Sequence, residues 1–399
     1  MLSADQLLTE LLIRARPLNE TTSIATENGL GRILAQDQIS HITVPPLDNS
    51  AMDGYAVRAS ECVVDAALAI SQRIPAGQIG TALRAGTAAR IFTGAPIPDH
   101  ADAVIMQENC VSEGDYIRIK QTVKTGENIR RAGEDIKTGD IVLTAGTRMS
   151  AAHLGLAASL GLASIPVYTT LKIASFSTGD ELVQPGSPLT AGKIYNSNRY
   201  TIAGLIATLG CEWIDLGSIP DTLSATLDTL QHASLVADVI ITSGGVSVGE
   251  EDHVKAAVAQ LGQIDLWKVA MKPGKPLAYG RIGEADFIGL PGNPVSAFAT
   301  FSLFARPFIL KRMGVRDFLP LVYKVRAASA WMKAGERREF LRAHTRAGTD
   351  GTLEATLFPN QSSGVLTSTT WANGFVDLEI GQTIAVGDMI NFIPFNELH

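Results

Sequence analysis

Ala237-Asp-Val-Ile-Ile-Thr-Ser-Gly-Gly-Val-Ser-Val-Gly-Glu-Glu-Asp-His253 opens as an apolar strand, turns at Ser243-Gly244-Gly245, and enters a helix with three acids at its start. Paired glycines at the carboxyl end of a buried strand let backbone N–H groups approach an anion, and open α/β sheets bind ligands along that edge. A tight turn followed by acids that favour the helix dipole would produce the same letters. Carboxylates beside a phosphate loop make more sense if a divalent metal such as Mg²⁺ bridges the two.

Outward from this stretch the same alternation recurs. Strand candidates Leu171–Ser175, Val239–Thr242 and Phe287–Leu290 interleave with helical stretches Asn198–Leu209, Leu223–Ala233, Asp252–Leu261 and Val295–Met313. Such alternation predicts an α/β domain with a parallel sheet covered on both faces. Two further loops then fall on the same edge. Gly289-Leu-Pro-Gly-Asn-Pro-Val-Ser296 passes from strand to helix, and Pro294 suits a first helical turn whose free N–H groups attract anions. Lys268-Val-Ala-Met-Lys-Pro-Gly-Lys-Pro276 holds Lys272 and Lys275 between prolines, so few backbone alternatives remain. Glu181 and Asp221 follow other strand ends; singly, each reads equally as a cap or an Asx turn.

The flanks differ in texture. Ser3 with Gln6 forms a capping-box pattern ahead of Leu7, Leu8, Leu11 and Leu12, and a second short helix is expected over Gly29–Gln38. From His41 to Asp140 short apolar runs (Ala88–Thr93, Ala103–Gln107, Tyr116–Lys120) alternate with turns, which predicts a β insertion. Met149–Leu162 reads as a helix, and the chain beyond Leu319 as a small β-barrel or sandwich. The expected domains are 1–40 with 141–168 (a small α/β domain), 41–140 (inserted β), 169–318 (α/β) and 319–399 (β-barrel).

Composition removes several function classes. Forty acidic against 33 basic side chains give a formal charge of −7, which argues against nucleic acid or an anionic membrane as partner. Three scattered cysteines without CxxC pairing argue against a disulfide framework or thiolate zinc site and suggest a reducing, cytoplasmic setting. The N-terminus has no signal-peptide pattern, and the apolar run near Leu154–Val167 is too short to span a bilayer.

Taken together, DNSAMDGYAV (48–57), IFTGAPIP (91–98), GED (133–135), STGDEL (177–182), YNSN (195–198), PDT (220–222), TSGGVSVGEEDH (242–253), KVAMKPGKP (268–276) and GLPGNPVSAF (289–298) resemble the MoeA family. EFLRA (339–343) and QSSGVL (361–366) extend the match into the last domain. The family comprises molybdopterin molybdenumtransferases and is shared with the E domain of gephyrin. The resemblance implies a homodimer that inserts molybdate into adenylyl-molybdopterin with Mg²⁺-dependent release of AMP, in transient contact with a molybdopterin adenylyltransferase. It implies catalytic roles for Asp53, Thr93, Asp135, Glu181, Asp221 and Asp252, with Asp252 and Glu181 as metal ligands. Substrate binding is implied for Gly244, Gly245, Ser247, Lys268, Lys272, Lys275, Pro291, Asn293, Pro294 and Ser296. Either Arg337 or Arg342, and either Ser362 or Ser363, would complete the oxyanion contacts. The alternatives are a non-catalytic cofactor carrier and a gephyrin-like scaffold.

Overall fold

A computed structural model of the chain describes residues 1–245 and 253–398. Two compact units result: Met1–Gln36 with Ala145–Leu154 and Ser164–His399, and Asp37–Thr144 with Gly155–Ala163.

The first unit is built around a six-stranded sheet of β1 (Lys172–Thr178), β2 (Glu212–Ile219), β3 (Val239–Ser243), β4 (Gly262–Lys268), β5 (Pro276–Ile282) and β6 (Ala285–Leu290). The spatial order is β2-β1-β3-β6-β5-β4. The first four strands are parallel, whereas β5 runs antiparallel to both of its neighbours. The sheet is therefore mixed where a parallel sheet was expected. The cause is local: Ile282 pairs with Ala285, and a two-residue connection can join only antiparallel strands. Since β4 is antiparallel to β5, its carboxyl end returns to the edge where β3 and β6 end.

Helices cover both faces. Ile173, Ile241 and Ile288 pack on one side with α1 (Ala4–Arg14), α2 (Ser197–Leu209) and α5 (Pro294–Thr300). Their neighbours Ala174, Ile240 and Phe287 pack on the other with α3 (Leu223–Val236) and α4 (His253–Leu261). The two-residue period of a strand sends alternate side chains to opposite faces, so a continuous apolar run serves both cores. The capping box of α1 forms as expected, Ser3 and Gln6 each bonding the other's backbone. The helix expected over Gly29–Gln38 does not form. Leu34 instead donates its N–H to Thr147 O at 3.0 Å and bridges Val167, and Gln38–Ile39 is a short strand. The long helix expected from Val295 starts at Pro294, passes through a π-helical segment at Phe301–Ala305 and resumes over Arg306–Arg312.

Five further strands, β7 (Tyr323–Ala327), β8 (Arg338–Ala347), β9 (Leu353–Leu357), β10 (Gly374–Leu378) and β11 (Met389–Pro394), follow in the same unit. They close in the order β8-β9-β7-β11-β10 and back to β8, a barrel rather than a sandwich. Val325, Leu341, Val376 and Phe392 fill it. Closure satisfies both edges of every strand. The two residues Met271 and Lys272 add to β8 as a short parallel strand against Arg338 and Glu339, fastening the lysine loop to the barrel.

The second unit carries its own six-stranded sheet, ordered Ala103–Met106, Gly54–Val57, Thr87–Ile91, Ala67–Ile74, Tyr116–Ile119, Cys110–Glu113. Cys62 and Cys110 are buried free thiols there, and burial pushes them up to about 12 and about 11. Neither is a nucleophile at neutral pH. No described helix is long and apolar enough to cross a membrane.

Candidate functional site

At the carboxyl end of β3 the chain turns through Gly244 and Gly245. Gly245 has φ +64°, and a Cβ there would stand 2.5 Å from Val254 Cγ2, so the turn fits against α4 only without a side chain. Asn198, in the first turn of α2, donates through Nδ2 to Ser243 Oγ and to Gly292 O, both at 2.7 Å. One side chain thus ties the loop after β3 to the loop after β6.

After β6, Asn293 stands at the N-cap position of α5 without a side-chain cap bond, and Pro294 occupies the first turn. The Val295 N–H, one of those expected to be free for an anion, donates to Ser363 O at 3.0 Å. Barrel and helix start are thereby joined, and Ser296 lies buried just inside the helix.

The lysine loop lies opposite. Lys272 Nζ pairs with Glu339 Oε1 at 3.0 Å, and the other carboxylate oxygen of Glu339 accepts from Trp331 Nε1 at 3.1 Å. Lys275 is exposed, and Arg337 donates to Met271 O at 3.2 Å. Gly274 has φ +97°, and a Cβ there would meet Thr300 Oγ1 at 2.5 Å. Gly274→Ala is therefore expected to cost about 2 kcal/mol. A lower thermal midpoint and weaker oxyanion binding in the same variant would show it.

These elements enclose a cavity of about 580 Å³. Gly244, Gly245, Lys272 and Lys275 line it together with Pro291, Asn293 and Ser296. Arg337, Ser362 and Ser363 close it from the barrel side. Two earlier alternatives separate here. Arg337 faces the cavity. Arg342 is fully buried behind it, where Nη2 donates to Ser362 O at 3.0 Å, Nε donates to Ser368 Oγ at 3.0 Å, and its backbone N–H donates to Gln361 Oε1 at 2.9 Å. Burial pushes its guanidinium down to about 10. Both serines line the cavity.

Other candidates lie elsewhere. Lys268 ends β4 and Pro294 sits in α5, and neither lines the cavity. Glu181 and Asp221 follow β1 and β2 on the other half of the same edge. There Thr178 Oγ1 donates to Asp221 Oδ1 at 2.8 Å, and Asp221 N–H reaches Asp180 Oδ1 at 3.5 Å. Ser247, Glu250, Glu251 and Asp252 lie outside the described residues. In the second unit, Thr93 donates through both N–H and Oγ1 to Asp53 Oδ1, at 2.8 and 2.9 Å, which holds the Asp53 carboxyl below its usual range. Asp135 is exposed on the 131–136 turn, which Asp48 clamps through Arg131 and the Ala132 N–H.

Among the described residues no group of three or more His, Cys, Asp or Glu side chains could hold a metal. Mg²⁺ does not require such a group, because it is commonly bound by one or two carboxylates plus water and substrate phosphate. The carboxylates of Glu181 and Asp221 on a ligand-binding sheet edge are the right donors for that light ligation.

Reading of the sequence missed Asn198, Trp331, Glu339 and Gln361 as individual contributors. Asn198, Glu339 and Gln361 each sit inside a quoted motif but bond to partners 19 or more residues away, and Trp331 lies outside every quoted motif.

Three family descriptions match the chain: "MoeA N-terminal region (domain I and II)" over residues 2–161, "Probable molybdopterin binding domain" over 174–311, and "MoeA C-terminal region (domain IV)" over 324–395. A molybdopterin molybdenumtransferase of Haemophilus influenzae is 40% identical over 402 residues, covering 100% of both chains. One from Nostoc is 37% identical, covering 88% of this chain and 84% of its own. Among solved structures, a molybdopterin biosynthesis moeA protein of Pyrococcus horikoshii superposes with a TM-score of 0.85 at 27% identity, covering 99% of this chain and 100% of that one.

Proposed function

The chain belongs to the MoeA family of molybdopterin molybdenumtransferases and is a transferase of molybdenum cofactor biosynthesis, and on that premise we propose that its cavity holds molybdate beside an adenylylated molybdopterin. One observation supports this most: Lys272, Lys275 and Arg337 converge on a single cavity in a chain of net charge −7. A small dianion is the natural ligand for clustered cations.

In this reading Lys275, Arg337 and Lys272 hold the oxyanion, with the hydroxyls of Ser296, Ser362 and Ser363 available as donors. The Gly244–Gly245 turn presents backbone amides to the phosphate of the pterin adenylate. The two dithiolene sulfurs then displace two oxygens of molybdate, which leave as water, and water hydrolyses the phosphoanhydride to give the pterin phosphate and AMP. Positioning and charge neutralisation supply the acceleration, and no covalent enzyme intermediate is needed. Glu181 and Asp252, with Asp221 as a further carboxylate of the same set, would hold Mg²⁺, which would supply Lewis-acid polarisation of that phosphate. The protein acts in the cytoplasm, in keeping with its three free cysteines. It takes its substrate from a molybdopterin adenylyltransferase by transient contact.

The test is a defined reaction of purified protein, adenylyl-molybdopterin, molybdate and Mg²⁺. The expected result is AMP release in step with formation of molybdenum-bearing pterin. Binding of the pterin without AMP release would make the protein a carrier.

We further propose a homodimer in which the loops carrying Asp53 and Thr93 serve the partner's cavity. Among the described residues, those lining the cavity all belong to the first unit, whereas Asp53 and Thr93 belong to the second. Mixed dimers of Asp53→Ala and Lys275→Gln subunits are then expected to recover about half of native activity, from one intact composite site of two. Inactive mixed dimers, verified by mass, would exclude a shared site.

A further inference from the structure

Lys272 does not enter the cavity as a free cation. Its ammonium is paired at 3.0 Å with Glu339, whose side chain is only 6% exposed against 34% for Lys272. The two residues are also register partners in the short parallel pairing of Met271–Lys272 with Arg338–Glu339. Glu339 has both oxygens occupied, one by Lys272 and one by the Trp331 indole N–H. The same indole ring lies 6.0 Å from the lysine Nζ. A long flexible ammonium is thus held by backbone pairing, an ion pair and an aromatic ring at once. This removes rotamer freedom that an oxyanion would otherwise have to remove on binding.

We infer that Glu339 is the positioning residue for Lys272 and sets how strongly the cavity holds its oxyanion. This rests on the oxyanion reading of the cavity and adds a negative charge to it on purpose. A dianion held by three unopposed cations would be bound too tightly in the ground state, which slows the metal's transfer to sulfur. With Lys272 largely neutralised, Lys275 and Arg337 remain as the other cations of the cavity. Glu339 therefore trades ground-state affinity for a fixed lysine.

Glu339→Gln keeps the shape but carries no charge, and its amide can accept from only one of the two donors that Glu339 serves. Molybdate binding, measured directly by calorimetry on the full chain, is expected to tighten about fivefold at low salt and to become more salt-dependent. In the insertion assay kcat is expected to fall about tenfold, because Lys272 is no longer oriented. Glu339→Asp keeps the charge and shortens the reach. It should restore native affinity and salt dependence while leaving kcat low. In a Lys272→Gln background, Glu339→Gln should lower kcat no further. Additive losses of kcat in that double variant, or native-like affinity and kcat in Glu339→Gln, would overturn the inference. Absence of molybdate binding to the native protein would overturn the oxyanion reading itself.

Discussion

Replacing Lys272 and Lys275 together by glutamine is expected to raise the molybdate needed for half-maximal insertion by about 100-fold, while adenylyl-molybdopterin is expected still to bind. The charge-assisted contact from Lys275 is worth about 1.5 kcal/mol, and uncovering Glu339 by removing Lys272 costs about as much, so the two changes correspond to about two powers of ten. Glu339 is left behind as a buried carboxylate without its cation, facing a site meant for a dianion. The pterin adenylate should persist, since the backbone amides around Gly244 and Gly245 and the carboxylates proposed for Mg²⁺ are untouched. In the native protein the molybdate requirement should also rise with ionic strength, because Lys275 is exposed and its field is screened. The check is a molybdate titration of cofactor formation at two salt concentrations for both proteins. An unchanged molybdate dependence with pterin binding lost instead would move both lysines to the phosphate.

The two arginines of β8 and its approach are expected to fail in opposite ways. Arg342→Met should destabilise the barrel by about 3 kcal/mol, as a buried guanidinium that serves Ser362 O, Asn360 O and Ser368 Oγ disappears and leaves those acceptors unpaired. The 360–363 turn loses its anchor, so oxyanion binding weakens only as a result. Arg337→Met should leave the thermal midpoint within about a degree of native, since this half-buried side chain gives up one hydrogen bond, to Met271 O. Its molybdate affinity should nonetheless fall about tenfold. Calorimetric melting and molybdate titration of both variants check the pair. Equal loss of stability in both would mean that Arg337 is a structural residue and the cavity is held by the lysines alone.

Local chemistry made much of this protein legible from its residues. Apolar runs ending in Ser243-Gly244-Gly245 or Leu290-Pro291-Gly292 give strands and tight turns because strand period, left-handed glycine geometry and proline's fixed φ act within a few residues. The capping box at Ser3 is of the same kind. The cavity-lining loops could be named because three of them end strands of one sheet, and a sheet gathers its strand ends on one edge. The motif set reached further, to the family and its activity, because it recurs in order along nearly the whole chain.

What remained closed depended on groups far apart in the chain. The antiparallel edge of the sheet followed from a two-residue connection between β5 and β6 that sequence alternation does not distinguish from a crossover. The segment Gly29–Gln38 became irregular because its N–H groups found partners near Thr147 and Pro166. Arg337 and Arg342 stand five residues apart in similar surroundings, and only barrel closure turned one into the cavity and the other into the core. Lys272 and Glu339 are separated by 67 residues, so nothing local indicates that the lysine is already paired. Sequence by itself determined periodicity, turns and the identity of the charged groups, since those are short-range properties. Tertiary structure decided which charges are buried, which are cancelled and which still face a ligand, because Coulomb energy and desolvation depend on distance in space and on burial rather than on distance along the chain.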